Sequence, residues 1–281
     1  MRLVFLLLST LLAQTPVSDT DLQKDAIAKL SGAKEIRAGV TLANRATIEN
    51  RQEARTYLLS LLSSFGLEGK RHSYGAAGGE NIYAVLSSGR PSAEVIVLGA
   101  HYDSVMRAPG ANDNATGTAA VLAIARAMAA TKGRTRDLMI VFFDEEERGL
   151  QGSRAFAQML KDDNRKVVGV HTVDQAGWDQ DKDRAIEIEL PYDGAVAMYE
   201  AAAKSLGLSM PIHTTTESGS DHSAFRGLGF PAVGVTEEYR NKDTTPHIHR
   251  ATDTFDTIDF EYLASTTKLV GEVIKGLITA K

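Results

Sequence analysis

The 281-residue chain contains no cysteine. Disulfide bridges, cysteine-based zinc sites and thiol nucleophiles are therefore excluded, and any bound metal must take its ligands from His, Asp and Glu. Positive charge is also in deficit: 31 Lys and Arg against 36 Asp and Glu leave a formal net charge of −5. That balance argues against a non-specific nucleic-acid binder, whose surface would be basic. Beyond the first few residues, no apolar run approaches the ~20 residues needed to span a bilayer. Neither an internal repeat nor a low-complexity linker is visible. What is present is 43% hydrophobic and 24% charged, the composition of an ordinary globular protein able to bury a sizeable core.

The N-terminus reads MRLVFLLLSTLLAQTPVSD. Arg2 precedes an apolar run over 3–13, and polar residues follow. This short signal-peptide pattern, with cleavage expected just after Ala13, predicts a soluble, exported protein that is secreted or periplasmic. Leu11, two residues before Ala13, is not the small residue usual at that place. Residues 19–65 are expected to be helical, with Ala54, Tyr57, Leu58, Leu61, Leu62 and Phe65 on one face and Gly66 as a stop. Residues 67–80 read as turns. Strands are expected at 81–86, 94–99, 137–143, 167–173 and 230–235, and helices at 116–130, 153–160, 192–206 and 260–278. The alternation predicts an α/β domain over 14–281 with a largely parallel central sheet. Active sites in such sheets collect at the carboxyl ends of strands.

Several of those ends carry metal-type ligands. The strand EVIVLG runs into His101 and Asp103, which share a face in extended chain, so one can bind a metal while the other orients it. In PGANDNATG, Asp113 is either a turn residue capping the following helix or a ligand at the mouth of the sheet. DLMIVFF, an apolar run suited to a strand covered on both faces, ends in Asp144, Glu145, Glu146 and Glu147. Adjacent Glu145 and Glu146 point in different directions, which suits one metal ligand and one general base; Glu147 and Arg148 read as solvated loop. VVGVHTV ends at Asp174, with His171 facing the other side as a structural residue. TTPHIHRATDT offers His247 and His249, which spacing alone does not separate. Oxygen and nitrogen donors without sulfur suit zinc, and also manganese or cobalt. Five such ligands exceed the needs of one open tetrahedral zinc and fit two metals sharing a carboxylate, ~3.5–4 Å apart.

Taken in order, GAHYDSV, GANDNATG, FFDEEERGLQGS, VDQAG, GSDHSAF and HRATDT resemble the motifs of the M28 family of zinc aminopeptidases, over about residues 45–275. The resemblance implies a three-layer αβα sandwich with a mixed, largely parallel sheet, and a co-catalytic pair of zinc ions. It implies His101 and Asp174 on the first zinc, Glu146 and His249 on the second, and Asp113 bridging. It implies Glu145 as general base, Asp103 as the partner of His101, and a cis bond between Asp113 and Asn114. The substrates implied are peptides with a free N-terminus. Some members carry a Tyr before the last His as an oxyanion donor; Ile248 stands there in this chain, and Tyr239 is a candidate substitute. Rival chemistries on the same fold are carboxypeptidase action, for which Arg107, Arg226, Arg240 or Arg250 would bind a carboxylate, and glutaminyl cyclisation. A serine hydrolase built on Ser220, Asp221 and His222 lacks a G-x-S-x-G elbow, and GSDHSAF is expected to be a loop near the site. A non-catalytic binding module would have lost ligands that are all present.

Overall fold

The computed structural model describes residues 19–76, 78–91 and 93–280, so the expected signal peptide over 1–13 lies outside the described residues. Among these, eight strands form one sheet: β1 (Lys70–Tyr74), β2 (Gly79–Leu86), β3 (Val95–His101), β4 (Asp137–Phe143), β5 (Val167–Val173), β6 (Ile186–Glu189), β7 (Ile212–Thr215) and β8 (Ala232–Thr236). Their spatial order is β1-β2-β4-β3-β5-β8-β6-β7. The central run β4-β3-β5-β8 is parallel. At one edge β1 and β2 are antiparallel, and at the other β6 runs antiparallel to β8 with β7 parallel to it. The sheet is thus mixed and largely parallel, as the alternation predicted.

Strand β4 shows why the chain layers. Side chains alternate across a strand, so Leu138, Ile140 and Phe142 enter one apolar cluster while Met139, Val141 and Phe143 enter another. The first cluster lies under α1 (Asp19–Leu30), α2 (Ile48–Ser64), α3 (Gly117–Ala130), α5 (Ala195–Leu206) and α7 (Phe260–Thr279). The second lies under α4 (Gln151–Asp162) and α6 (His222–Gly227). Every side chain of β4 after Asp137 is buried, each large one contributing roughly 1.5–3 kcal/mol. This is the three-layer αβα arrangement.

Four local expectations are corrected. Residues 19–65 are not one helical stretch, because the chain turns between α1 and α2. Gly32 takes φ +75°, and a Cβ there would meet the Leu42 carbonyl oxygen at 2.2 Å. Helix α2 restarts at Thr47, whose hydroxyl accepts from Asn50 N at 3.2 Å. Strand β1 lies in the supposed turn region; its KRHSY sequence shows no apolar alternation because it is a mostly exposed edge. Strands β6 and β7 are four residues each, too short to leave a period. GSDHSAF is not simply a loop, since its second half forms α6.

Candidate active site

The four acids after β4 divide into two pairs. Asp144 is fully buried, and its Oδ1 lies 3.0 Å from Arg51 Nε on α2. It also accepts from Glu80 N at 3.0 Å and from Glu145 N at 3.0 Å. Burial pushes its carboxyl up to about 6 against the pull of Arg51. Glu145 takes the same arginine: Oε1 accepts from Arg51 Nη2 at 2.9 Å and from Arg148 Nη1 at 3.3 Å. Glu145 is therefore turned toward α2 and not toward the strand-end cavity, which corrects its expected place as the free acid. Its backbone adopts a left-handed φ of +55°, and that reversal swings the next short turn, Glu146–Arg148, over the sheet's edge. Glu146 and Glu147 then line the cavity.

Asp103 holds that turn. Its Oδ1 accepts from Glu146 N at 3.0 Å and its Oδ2 from Glu147 N at 3.2 Å. The same carboxylate lies 3.4 Å from His101 Nδ1. One buried side chain thus positions the end of β3 and the turn after β4 together.

Asp113 sits in an irregular turn before α3, and the Asp113–Asn114 peptide bond is cis. The turn is fixed from several sides. Asp253 accepts from Asn112 N at 2.7 Å and from Asp113 N at 3.1 Å. Arg45, fully buried, donates to the carbonyls of Pro109 and Gly110 at 2.7 and 2.8 Å. Asn114 donates to Val173 O at 2.9 Å and caps Gly117 N at 2.8 Å. Gly117 has to be glycine, since a Cβ would meet both Asn114 Oδ1 and Val173 O at 2.3 Å.

The resulting geometry has two triplets that share one residue. His101, Asp113 and Asp174 converge in one, and Asp113, Glu147 and His249 in the other. His101 Nε2 lies 3.4 Å from Asp113 Oδ1 and 3.3 Å from Asp174 Oδ1. His249 Nε2 lies 3.1 Å from Asp113 Oδ2 and 3.0 Å from Glu147 Oε2. The expected His101, Asp113, Asp174 and His249 are thus brought together. Glu146 is not in the second triplet; Glu147 is. The Glu147 side chain is 8% exposed, not the solvated residue expected, because the turn at Glu145 advances the pattern by one position.

The residues present fit metal ions. Both ring nitrogens of His101, Asp174 Oδ1 and Glu147 Oε1 are buried without a hydrogen-bond partner, a costly state for polar atoms unless something else meets them. The charge balance points the same way. Despite burial, Asp174, Glu146, Asp103 and Asp113 raise the His101 imidazole well above its usual range. Asp113 and Glu147 hold His249 up at about 10. Burial opposes ionisation of Asp113, but His101 and His249 pull its carboxyl well below the ordinary range. The cluster draws in positive charge at two points. No cysteine competes, and His with carboxylates is the donor set of hydrolytic zinc. Glu146 is left over: burial, and then Asp221, Asp174 and Asp103, push it well above its usual value against the pull of His101.

Other motif residues fall outside the triplets. Ser220 Oγ donates to Asp174 Oδ2 at 2.7 Å, leaving Oδ1 for the cluster. It makes no such bond to His222, so no serine triad forms. His247 is half-buried, 2.9 Å from Thr252 Oγ1 and edge-on to Trp178. His171 is buried between Tyr199 and Tyr192 at 2.9 and 3.1 Å, the structural position expected. Tyr239 and Ile248 both line the cavity, which measures about 310 Å³.

Comparison with known proteins gives the chain a family. The model for peptidase family M28 matches residues 81–274. The chain belongs to peptidase family M28. It is 30% identical over 205 residues to a probable leucine aminopeptidase of Arthroderma otae, covering 66% of this chain and 54% of that protein. The chain therefore spans about half the length of the curated relatives it matches. Its fold superposes on the LapA aminopeptidase of Legionella pneumophila with a TM-score of 0.80 at 21% identity, covering 93% of this chain and 74% of that one. It also superposes on a glutaminyl cyclase of Porphyromonas gingivalis with a TM-score of 0.74 at 18% identity, covering 92% and 98%.

Proposed function

We propose that the chain is an exported zinc metalloaminopeptidase that removes N-terminal residues from peptides. One observation carries the reading: the two carboxylate oxygens of Asp113 face two separate ligand groups, the arrangement of a shared ligand between two metal ions. Two zinc ions per chain would be held, one by His101, Asp113 and Asp174, the other by Asp113, Glu147 and His249. When bound, such a pair supplies Lewis acidity toward a carbonyl and makes water nucleophilic at neutral pH. Glu146 is the proposed general base, taking a proton from water and returning it to the leaving amine. Its carboxyl is free of arginine, unlike that of Glu145, and its backbone is pinned by Asp103. Acidic groups of the cavity wall would receive the substrate's free α-amine. Export rests on the N-terminal apolar run over 3–13 and its signal-peptide character.

Glutaminyl cyclisation is the second reading, favoured by the fold likeness that spans nearly the whole of the Porphyromonas gingivalis enzyme. The complete second ligand triplet favours the peptidase. A panel of aminoacyl-4-nitroanilides beside N-acetylated copies, with and without chelator, and a peptide with N-terminal glutamine, separates them. Chelator-sensitive release from the free-amine set alone supports the aminopeptidase. Cyclisation of the glutaminyl peptide without nitroanilide release supports the cyclase.

A further inference from the structure

Besides Glu146, the cavity wall contains two acids that neither triplet uses, Glu189 and Glu217. Glu217 is ion-paired with Arg240. Glu189, at the end of β6, has no lysine or arginine partner among the described residues. His222 Nδ1 lies 3.5 Å from its Oε2. That ring is no counter-charge, because burial lowers it to about 4 and leaves it neutral. Its Nε2 faces the Glu217 carbonyl oxygen at 3.3 Å. A carbonyl only accepts, so the single ring proton belongs on Nε2, and Nδ1 presents a lone pair to Glu189. Nδ1 is accordingly buried without a hydrogen-bond partner. Glu189 is thus a buried acid that opens on the cavity and has no cationic partner among the described residues. Burial, and then Asp174 and Glu187, push its carboxyl up to about 8; an entering cation would offset that burial and hold the group ionised.

The backbone makes room for this acid. Glu189 pairs across β6 and β8 with Gly234. A Cβ at Gly234 would lie 2.4 Å from Glu189 Oε2 and 2.7 Å from His222 Nδ1. On the far side of β8, Asp174 N donates to Val235 O at 3.0 Å. Glu189 and Asp174 therefore stand two strands apart, ~10 Å at ordinary strand spacing. That interval suits a substrate whose α-carbon lies beside the ligand cluster and whose side chain crosses β8. Gln175 and Thr236 also line the cavity. A lysine, with its charge at the end of a four-carbon stem, or an arginine matches both the span and the terminal acid.

We propose that Glu189 closes the pocket for the first substrate side chain and selects a cationic one, lysine or arginine. This rests on the aminopeptidase reading above, and it departs from the leucine preference carried in the names of the curated relatives. The test compares kcat/KM for lysyl-, arginyl-, leucyl- and norleucyl-4-nitroanilide on zinc-loaded protein, wild type beside Glu189→Gln and Glu189→Asp. The expected wild-type preference for lysyl or arginyl over norleucyl is tenfold or more. Glu189→Gln should cut that ratio at least tenfold, and Glu189→Asp should retain more of it. A wild-type preference for leucyl or norleucyl overturns the proposal and leaves the aminopeptidase reading standing, as does a ratio unmoved in a folded Glu189→Gln. Cleavage of none of the four substrates counts against the aminopeptidase reading instead. Calorimetry with lysinamide and leucinamide then decides the pocket: tighter lysinamide binding that is lost in Glu189→Gln supports it, and equal binding overturns it.

Discussion

Arg51 Nε lies 3.0 Å from Asp144 Oδ1, and both side chains are fully buried. This ion pair, with the Arg51–Glu145 contact at 2.9 Å, decides which of four consecutive acids face the cavity. Removing the arginine leaves Asp144 to Arg55, at 3.8 Å, and Glu145 to the more exposed Arg148, at 3.3 Å. Breaking a buried pair from one side costs about 3–5 kcal/mol. Arg51→Met should therefore lower the unfolding free energy by about that amount, measured by urea denaturation. A loss below about 1 kcal/mol would mean the pair contributes little.

The register of the acids was the least legible part of the site. Glu145, Glu146 and Glu147 are chemically identical neighbours, and nothing local ranks them. The deciding signal sits 94 residues away, in Arg51. It was readable in principle: Arg51 and Arg55 lie on the buried face of α2 beside Ala54 and Leu58, and buried arginines need acids. The left-handed turn at Glu145 could not be read, because it follows from that pairing and not from any turn-forming residue. By contrast, β4 was legible as an apolar run that helices cover on both faces, and β5 as a strand between helices. His101 and Asp174 were legible because each lies at such a strand's end. Strand β6 was missed because it is short and its IEIE sequence buries both glutamates: Glu187 accepts from Arg240 N and Asn241 N, and Glu189 lines the cavity.

Acid should destabilise the fold partly through His171. Burial lowers this imidazole to about 4, while the unfolded value is ~6.5. Between these values the unfolded chain binds the extra proton, so stability is present above pH ~6.5 and lost as pH falls toward about 4. The full loss from this one group is about 3 kcal/mol. His171→Gln should show a shallower fall in unfolding free energy between pH 7 and 5 than wild type in the same metal state. Parallel curves would assign the acid sensitivity elsewhere.

Metal content should follow the two triplets. Zinc titration of chelator-stripped protein, followed by mass spectrometry under native conditions, should show two ions per chain. His249→Ala should retain one, since His101, Asp113 and Asp174 are untouched. Each bound ion should raise the unfolding temperature, because a ligand that binds only the folded state stabilises it. A single ion in wild type would contradict the shared role of Asp113.

Ser220 should act through Asp174. Its hydroxyl holds Oδ2 at 2.7 Å and thereby aims Oδ1 at the cluster. Loss of such an outer partner typically weakens metal binding by ~10–100-fold. Ser220→Ala should show that loss in zinc affinity, while a serine nucleophile would instead show abolished turnover at full zinc occupancy.

The most direct test of the account replaces Glu145, Glu146 and Glu147 in turn by Gln and measures zinc content beside turnover of the preferred aminoacyl-4-nitroanilide. Glu146→Gln should keep both ions and lose ~10²–10⁴-fold in kcat. Glu147→Gln should lose an ion. Glu145→Gln should keep both ions and most of its turnover, and should be less stable. A Glu145→Gln protein that holds two zinc ions and is catalytically dead, beside an active Glu146→Gln, would contradict the assignment.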